Sequence, residues 1–254
     1  MDSHKDAKYH DSIAPEYDRV VVEPRQAALH RLFAPALRRL GAHAPFPVMF
    51  DLGCGTGHMV LRAGALAKRV VGVDHSAGML AIAREKAAAA GLAQSEFVQQ
   101  DIPAFLQAHP RQADLITAVG VLHHLGEARL PATLAAIRDA LRPGGWLLLA
   151  EPVADGDIHE PDPIRAWNRR SLAVGRDYSA PAPDPDEAPL PPALLREAIL
   201  GAGLQIVDQR RGWEIYNHSA EPGLIERLRI GWLQRRFGDS GFIQACLARK
   251  PAEG

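Results

Sequence analysis

Three features of the sequence predict an α/β fold built on a doubly wound, mostly parallel sheet. From residue 48 onward, short apolar runs alternate with helix-like stretches. Those runs are bounded by Pro, Gly and Asp, as buried parallel strands should be. The first of them ends in an acid and a glycine-rich turn, "DLGCGTG". At 254 residues the chain has room for one such domain with additions. The single domain divides into an N-terminal helical cap (1–46), a core (47–151), an insertion or lid (152–192), and a last part of sheet and helices (193–254).

The cap contains an amphipathic segment with Leu29, Phe33, Leu37 and Leu40 on one side and a bend expected at Pro35. "PVMFDLG" (47–53) is the first strand, and "HMVLRAGALAKR" (58–69) has helical composition. "VVGVD" (70–74) reads as the second strand. Ser76 then caps a helix, "AGMLAIAREKAAAA", that stops at Gly91. "EFVQQD" (96–101) and "ADLITAVGVL" (113–122) are the third and fourth strands. The next helix places Leu130, Leu134, Ile137 and Leu141 on one face and ends at "RPGG" (142–145). "WLLLAE" (146–151) is the fifth strand.

The insertion is rich in Pro and Asp, including "SAPAPDPDEAPLPP" (179–192), and reads as irregular. Beyond it come a helix from 193, the strand "LQIVDQ", a helix near 222–236 and the strand "GFIQACLARK".

The net charge of −1 offers no overall field for nucleic acid or an anionic membrane, though it leaves room for a local basic patch. Cys54 and Cys246 are too few for a disulfide framework or a cysteine-rich zinc site and suit a reducing cytoplasm. The polar start, "MDSHKDAKYHD", lacks the apolar core of a secretion signal, and no apolar run approaches the roughly 18 residues of a membrane span. The scattered acids of "DGDIHEPD" (155–162) read as a solvated loop, so no metal site is expected.

Glycines at 53, 55 and 57 let backbone approach a ligand closely. A phosphate-binding P-loop is excluded because no Gly-Lys-Ser/Thr follows. The dinucleotide fingerprint fails because His58 stands where its third glycine belongs. Asp51, just ahead of the turn, would repel a pyrophosphate but suits a ligand carrying an ammonium group.

On these residues, "DLGCGTG" resembles the first motif of the class I S-adenosylmethionine-dependent methyltransferases. The likeness covers 47–151 strongly and the flanks weakly. It implies a Rossmann-like sheet of seven strands with the last antiparallel, and S-adenosyl-L-methionine as cofactor, leaving S-adenosyl-L-homocysteine. It further implies that Asp51, Gly53, Gly55 and Gly57 line the cofactor, and that Asp74, with His75 after it, meets the ribose hydroxyls. Asp101 and Ile102 would hold the adenine, and Val119 would lie beside the cofactor. "YHDSIAPEYDRVVVEPRQAAL" is similar to the helix that closes over the cofactor in small members, which makes Arg25 a partner for its carboxylate. Each strand-end acid can also simply cap the helix after it.

The acceptor stays open. "VGVLHHL" lacks the Asp/Asn/Ser-Pro-Pro-aromatic motif of nucleic-acid amine methylation, the fourth-strand end lacks acids for metal-dependent catechol methylation, and arsenite methylation would need more cysteines. Catalytic candidates are His123 and His124, whose side chains titrate near neutral pH, and Glu151 as an orienting carboxylate. Candidate walls of an acceptor pocket are Tyr9, Tyr17, Trp167 and Tyr178, with Trp213 and Tyr216 as further aromatics.

The expected function is methyl transfer to a small molecule, with secondary metabolism as a setting. One alternative comes from "LREAILGAGLQIVDQRRGWEIYNH", which is similar in part to the bacterial methyltransferase that esterifies 5-oxyacetic acid on the tRNA wobble uridine. Arg169, Arg170, Arg210, Arg211, Arg227, Arg229, Arg235 and Arg236 would then meet phosphates, although the acidic insertion argues against an RNA surface. Another alternative is a catalytically silent member that binds the cofactor or serves as a partner subunit.

Overall fold

The computed structural model describes residues 3–173, 188–219 and 221–253. Tyr178 and the "SAPAPDPDE" stretch (179–187) lie outside the described residues. Seven strands among the described residues form one sheet: β1 (Phe46–Leu52), β2 (Ala67–Asp74), β3 (Ser95–Gln99), β4 (Ala113–Val119), β5 (Leu141–Pro152), β6 (Gln205–Gly212) and β7 (Ile243–Arg249), in the order β3-β2-β1-β4-β5-β7-β6. The first five run parallel, and β7 is antiparallel to both β5 and β6. The strand order reverses between β1 and β4, so the chain leaves those two strands in opposite directions and opens a crevice at their carboxyl ends.

The sheet is buried on both faces because alternate residues of each strand feed different cores. Phe50 and Leu52, Ile116 and Ala118, and Leu147 and Leu149 join one cluster. Met49, Leu115 and Leu148 join the other. Phe50 meets Phe105 edge-on at 5.0 Å between ring centroids. Helices α1 (Ser3–Tyr17), α2 (Gln26–Gly41), α3 (His58–Ala63), α4 (Ala77–Ala89), α5 (Ile102–Ala108), α6 (Leu130–Ala140), α7 (Asp162–Ala173), α8 (Pro192–Gly201) and α9 (Leu224–Phe237) surround it. Leu134 and Ile137 of α6 and Ile199 of α8 close the first core, while Phe33 and Leu40 of α2 and Val60 of α3 close the second.

Several expectations need correction. The helix after the glycine turn ends at Ala63, and β2 starts at Ala67, because Ala67–Arg69 continue the parallel ladder against Phe46–Val48. Strand pairing outweighs the helical composition there. Leu141 leaves the α6 face to open β5 opposite Ala113, and β4 ends at Val119. α2 runs through Pro35 without interruption. The insertion is not wholly irregular: α7 buries Ile164 and Trp167, and Val153 bridges to Leu190.

Substituting Phe105→Ala in the first core should cost about 3–5 kcal/mol of stability. Leu61→Ala, at an exposed position of α3, should stay within about 0.5 kcal/mol. Urea titrations of the two variants against the parent chain measure both.

Candidate active site

At the carboxyl ends of β1 and β4 lies a cavity of about 420 Å³. Its geometry starts at Asp51, the penultimate residue of β1, which faces Thr117 in the β1–β4 register. The carboxylate is buried. Thr117 donates its hydroxyl to Oδ1 at 2.5 Å, while Oδ2 is enclosed with no hydrogen-bond partner. Burial pushes this carboxyl up to about 7; the Thr117 hydroxyl opposes the rise, the nearby Asp74 adds to it, and the Val60 backbone N–H opposes it more weakly.

The turn after β1 is shaped by what glycine lacks. Gly53 has φ +62°, and a Cβ there would stand 2.3 Å from the Val121 side chain, so the loop after β4 can close on the turn only over a glycine. Gly55 faces open space and donates its N–H to Asp74 Oδ2 at 2.9 Å. Gly57 turns away from the cavity: a Cβ there would touch Ala83 of α4, so its role is close packing of α3 on α4. Asp74, the last residue of β2, also accepts from Ser76 N at 2.9 Å. Each of its oxygens therefore holds one backbone donor and keeps a second lone-pair site. Asp101 caps α5, accepting from Ala104 N at 3.4 Å, and Ile102 opens that helix. Gly53, Gly55, Asp74, Asp101 and Ile102, with His75 and Val119, line the cavity.

Glu151, at the end of β5, is completely buried. Its Oε1 accepts from Val121 N (3.2 Å) and Leu122 N (2.9 Å), and its Oε2 from His123 N (3.3 Å) and His123 Nδ1 (2.7 Å). All four donors come from the loop after β4, so this carboxylate fixes that loop and His123 rather than reaching outward to a substrate. His123 and His124 both line the cavity, their rings 4.1 Å apart. His58 lines it too, but burial pushes this imidazole down to about 3, and it stays neutral, accepting from Arg62 Nε at 2.8 Å.

The N-terminal segment forms the remaining wall through Tyr9, His10, Tyr17, Val21, Val22 and Arg25. Two carboxylates moor it. Asp11 Oδ1 accepts from Ser76 Oγ (2.5 Å) and Gly78 N (2.9 Å) at the start of α4, and these bonds hold its carboxyl below the usual range. Asp18 accepts from Thr56 Oγ1 and Lys86 Nζ, each at 2.6 Å. A single π-turn, Asp18–Val22, follows and leads to Arg25. Arg25 pairs with Glu214 at 3.3 Å. The buried Asn217 ties the same turn down through Glu23 O (2.7 Å) and Pro24 O (2.6 Å).

Trp167 does not wall this cavity. Its ring stacks on His218 at 3.9 Å and its N–H donates to Tyr216 O at 2.9 Å, which makes it a packing residue between α7 and the 213–218 segment. Sequence reasoning also missed Thr117, Asp11, Asp18 and Lys86. A polar residue in a strand buried on both faces was the available signal for Thr117. The Asp18–Lys86 contact joins residues 68 apart with no local signature.

Residues 49–145 match the methyltransferase domain family. This chain carries a class I methyltransferase domain. The chain is 33% identical over 113 residues to a carboxy-S-adenosyl-L-methionine synthase of Wolinella succinogenes, a match covering 43% of this chain and 45% of that relative. The chain thus spans less than half the length of this curated relative. Among solved structures, the [4+2]-cyclase SpnF superposes with a TM-score of 0.67 at 18% identity, over 99% of this chain and 97% of the other. A DhpI-SAM-HEP complex gives 0.58 at 23% identity, over 98% and 97%. At such identities these two likenesses concern the fold of the methyltransferase domain and its flanks.

Asp51 should leave a signature in stability. Its carboxyl binds a proton more tightly folded than unfolded between pH about 4 and about 7. The stability it contributes is therefore complete at low pH and lost as pH rises through that window. The stability of the parent chain relative to Asp51→Asn, from urea midpoints at several pH values, should fall across it. A difference that does not change with pH would show that Asp51 titrates normally.

Proposed function

We propose that this chain transfers a methyl group from S-adenosylmethionine to a small-molecule acceptor in a reducing cytosol. The observation that carries the reading is Asp51 Oδ2, a buried carboxylate oxygen with no protein partner beside a glycine turn. A cationic ammonium satisfies that oxygen and favours the ionised carboxylate. The remaining donor set fits the same cofactor: Asp74 has acceptor capacity for a vicinal diol, and Asp101 and Ile102 combine a rim acceptor with an apolar contact suited to a purine. Both cysteines are free and buried, in keeping with a reducing compartment. Among the described residues no helix is long and apolar enough to cross a membrane.

When bound, the cofactor would supply an electrophilic methyl on a sulfonium, which an in-line acceptor atom would take as the C–S bond breaks and the neutral thioether leaves. The chain's own residues bind, align and dry the site. Arg25 is a cation of the cap that lines the cavity, and Glu214 beside it supplies a competing anion, so a cofactor carboxylate would share or displace that pair. His123 is the candidate base. Glu151 in its ionised form only accepts, so the proton on the His123 ring belongs on Nδ1, and Nε2 is left as the acceptor for an acceptor hydroxyl. In this reading His123 touches the acceptor and Glu151 is a positioning residue. Tyr9 and Tyr17 are proposed walls of the acceptor pocket, with His124 beside them.

Calorimetry with S-adenosylhomocysteine should show binding that weakens by about 10–100-fold in Asp74→Asn, the loss of hydrogen bonds to a charged group. Unchanged affinity would undercut the cofactor assignment. Labelled methyl donor offered separately to a metabolite extract and to bulk tRNA should label the extract alone. Label in tRNA would replace the small-molecule reading with carboxyl methylation of a wobble uridine. Binding without transfer to either fraction would favour the silent member. With an acceptor in hand, His123→Ala should lower kcat by about 10²–10⁴-fold.

A further inference from the structure

Helix α9 has two unlike sides. Ile230, Gly231 and Leu233 are buried, and Gly231 lies against Arg31 of α2 so closely that a Cβ would meet the guanidinium at 2.1 Å. The opposite side is apolar yet open to water: Leu224 is 72% exposed, Ile225 74%, Leu228 56% and Trp232 58%. Leu224, Leu228 and Trp232 fall at successive four-residue steps, a row about 12 Å long at 1.5 Å per residue. The charged residues bordering this row are Arg227, Arg229, Arg235 and Arg236, all exposed; Arg227 Nε turns back to Pro222 O, and Glu226 to the backbone N–H of His218. At the amino end of the row is a shallow depression lined by Trp167, His218, Gly223, Leu224, Ile225 and Arg229. Exposed Glu221 stands just ahead of the helix.

Large apolar side chains clustered in water mark a contact surface. We propose that this face is a homodimer interface in which α9 packs antiparallel against α9 of a second copy, about a two-fold axis at Leu228. Such an axis sets Leu228 against its own copy. It sets Leu224, four residues before it, against Trp232, four residues after, and brings Glu221, three residues ahead of the helix, toward the Arg235 end of the other copy. Each Trp232 then meets the depression beside the other copy's Leu224, so one surface supplies both knob and hollow, as an isologous contact requires. The cationic carboxyl end of one helix meets the acid ahead of the other's amino end, and the two helix dipoles lie antiparallel.

A parallel pairing would set all four arginines against their own copies, whereas the antiparallel one opposes only Arg227 and Arg229, and Arg227 is turned to Pro222 O. Nucleic acid could use the arginines but not Leu224, Ile225 and Leu228. An anionic bilayer could use both, but it leaves the depression and Glu221 without a role.

Sedimentation velocity of the full chain over a concentration series should show a monomer–dimer equilibrium. Leu228→Glu and Trp232→Glu should each raise its dissociation constant by at least about thirtyfold, as for central interface residues. Because both side chains are exposed in the single chain, unfolding midpoints measured at concentrations where the parent is monomeric should not move. Arg235→Glu should weaken the dimer, and Glu221→Arg added to it should restore association. Mild oxidation of Leu228→Cys should give a disulfide-linked dimer, while Ala88→Cys on the exposed side of α4 should not. A chain that stays monomeric throughout, a dimer indifferent to Leu228→Glu, or a monomer that floats with phosphatidylserine vesicles would overturn the proposal.

Discussion

A carboxylate in a dry sheet must find a partner or keep its proton, and the candidate site depends on that constraint. Asp51 sits where strand order reverses, opposite Thr117 and near Asp74. One oxygen is served by the protein and the other is not. The neighbouring features fall in line with that vacancy in hydrogen bonding. Gly53 lets the Val121 loop close over the turn, Gly55 ties the turn to Asp74, and Glu151 holds the same loop from below with both oxygens. Polarity is concentrated along one crevice, while the strands leading to it are apolar on both faces.

The two buried carboxylates do different work because their surroundings differ. Glu151 accepts four hydrogen bonds, which offset the cost of burying its charge and make it a fixed anchor for His123. Asp51 accepts from one hydroxyl, and its remaining capacity is directed at whatever enters. The same contrast holds at the cap. Asp11 and Asp18 lie near the rim and are engaged with Ser76, Gly78, Thr56 and Lys86, so they secure the cap's position rather than facing a ligand.

Much of this was legible in the sequence where the signal is local. The glycine spacing, the acids at strand ends and the five parallel strands are periodic or adjacent features, and they led to Asp51, Asp74 and Asp101 at one crevice. Composition misled where pairing decides: "GALAKR" is helical in content, but Ala67–Arg69 complete a ladder with β1. Trp167 illustrates the limit for aromatics, since nothing in its neighbourhood distinguishes a pocket wall from a ring stacked on His218. The moorings of the cap were invisible because each joins residues far apart in the chain, and no spacing rule connects Asp11 to Ser76 or Asn217 to Glu23.

Those distant moorings also govern when the site comes into being. The hydrogen bond from Asn217 to Glu23 spans 194 residues, and the cavity wall draws on Tyr9 near one end of the chain and Phe242 and Ile243 near the other. Contacts of such separation carry the largest loop-closure cost and form late. A growing chain can lay down β1 to β4, and with them the glycine turn, long before β7 exists. The enclosed cavity therefore needs more than the crevice floor: it is complete only when the Tyr9 segment and the Phe242–Ile243 segment have met.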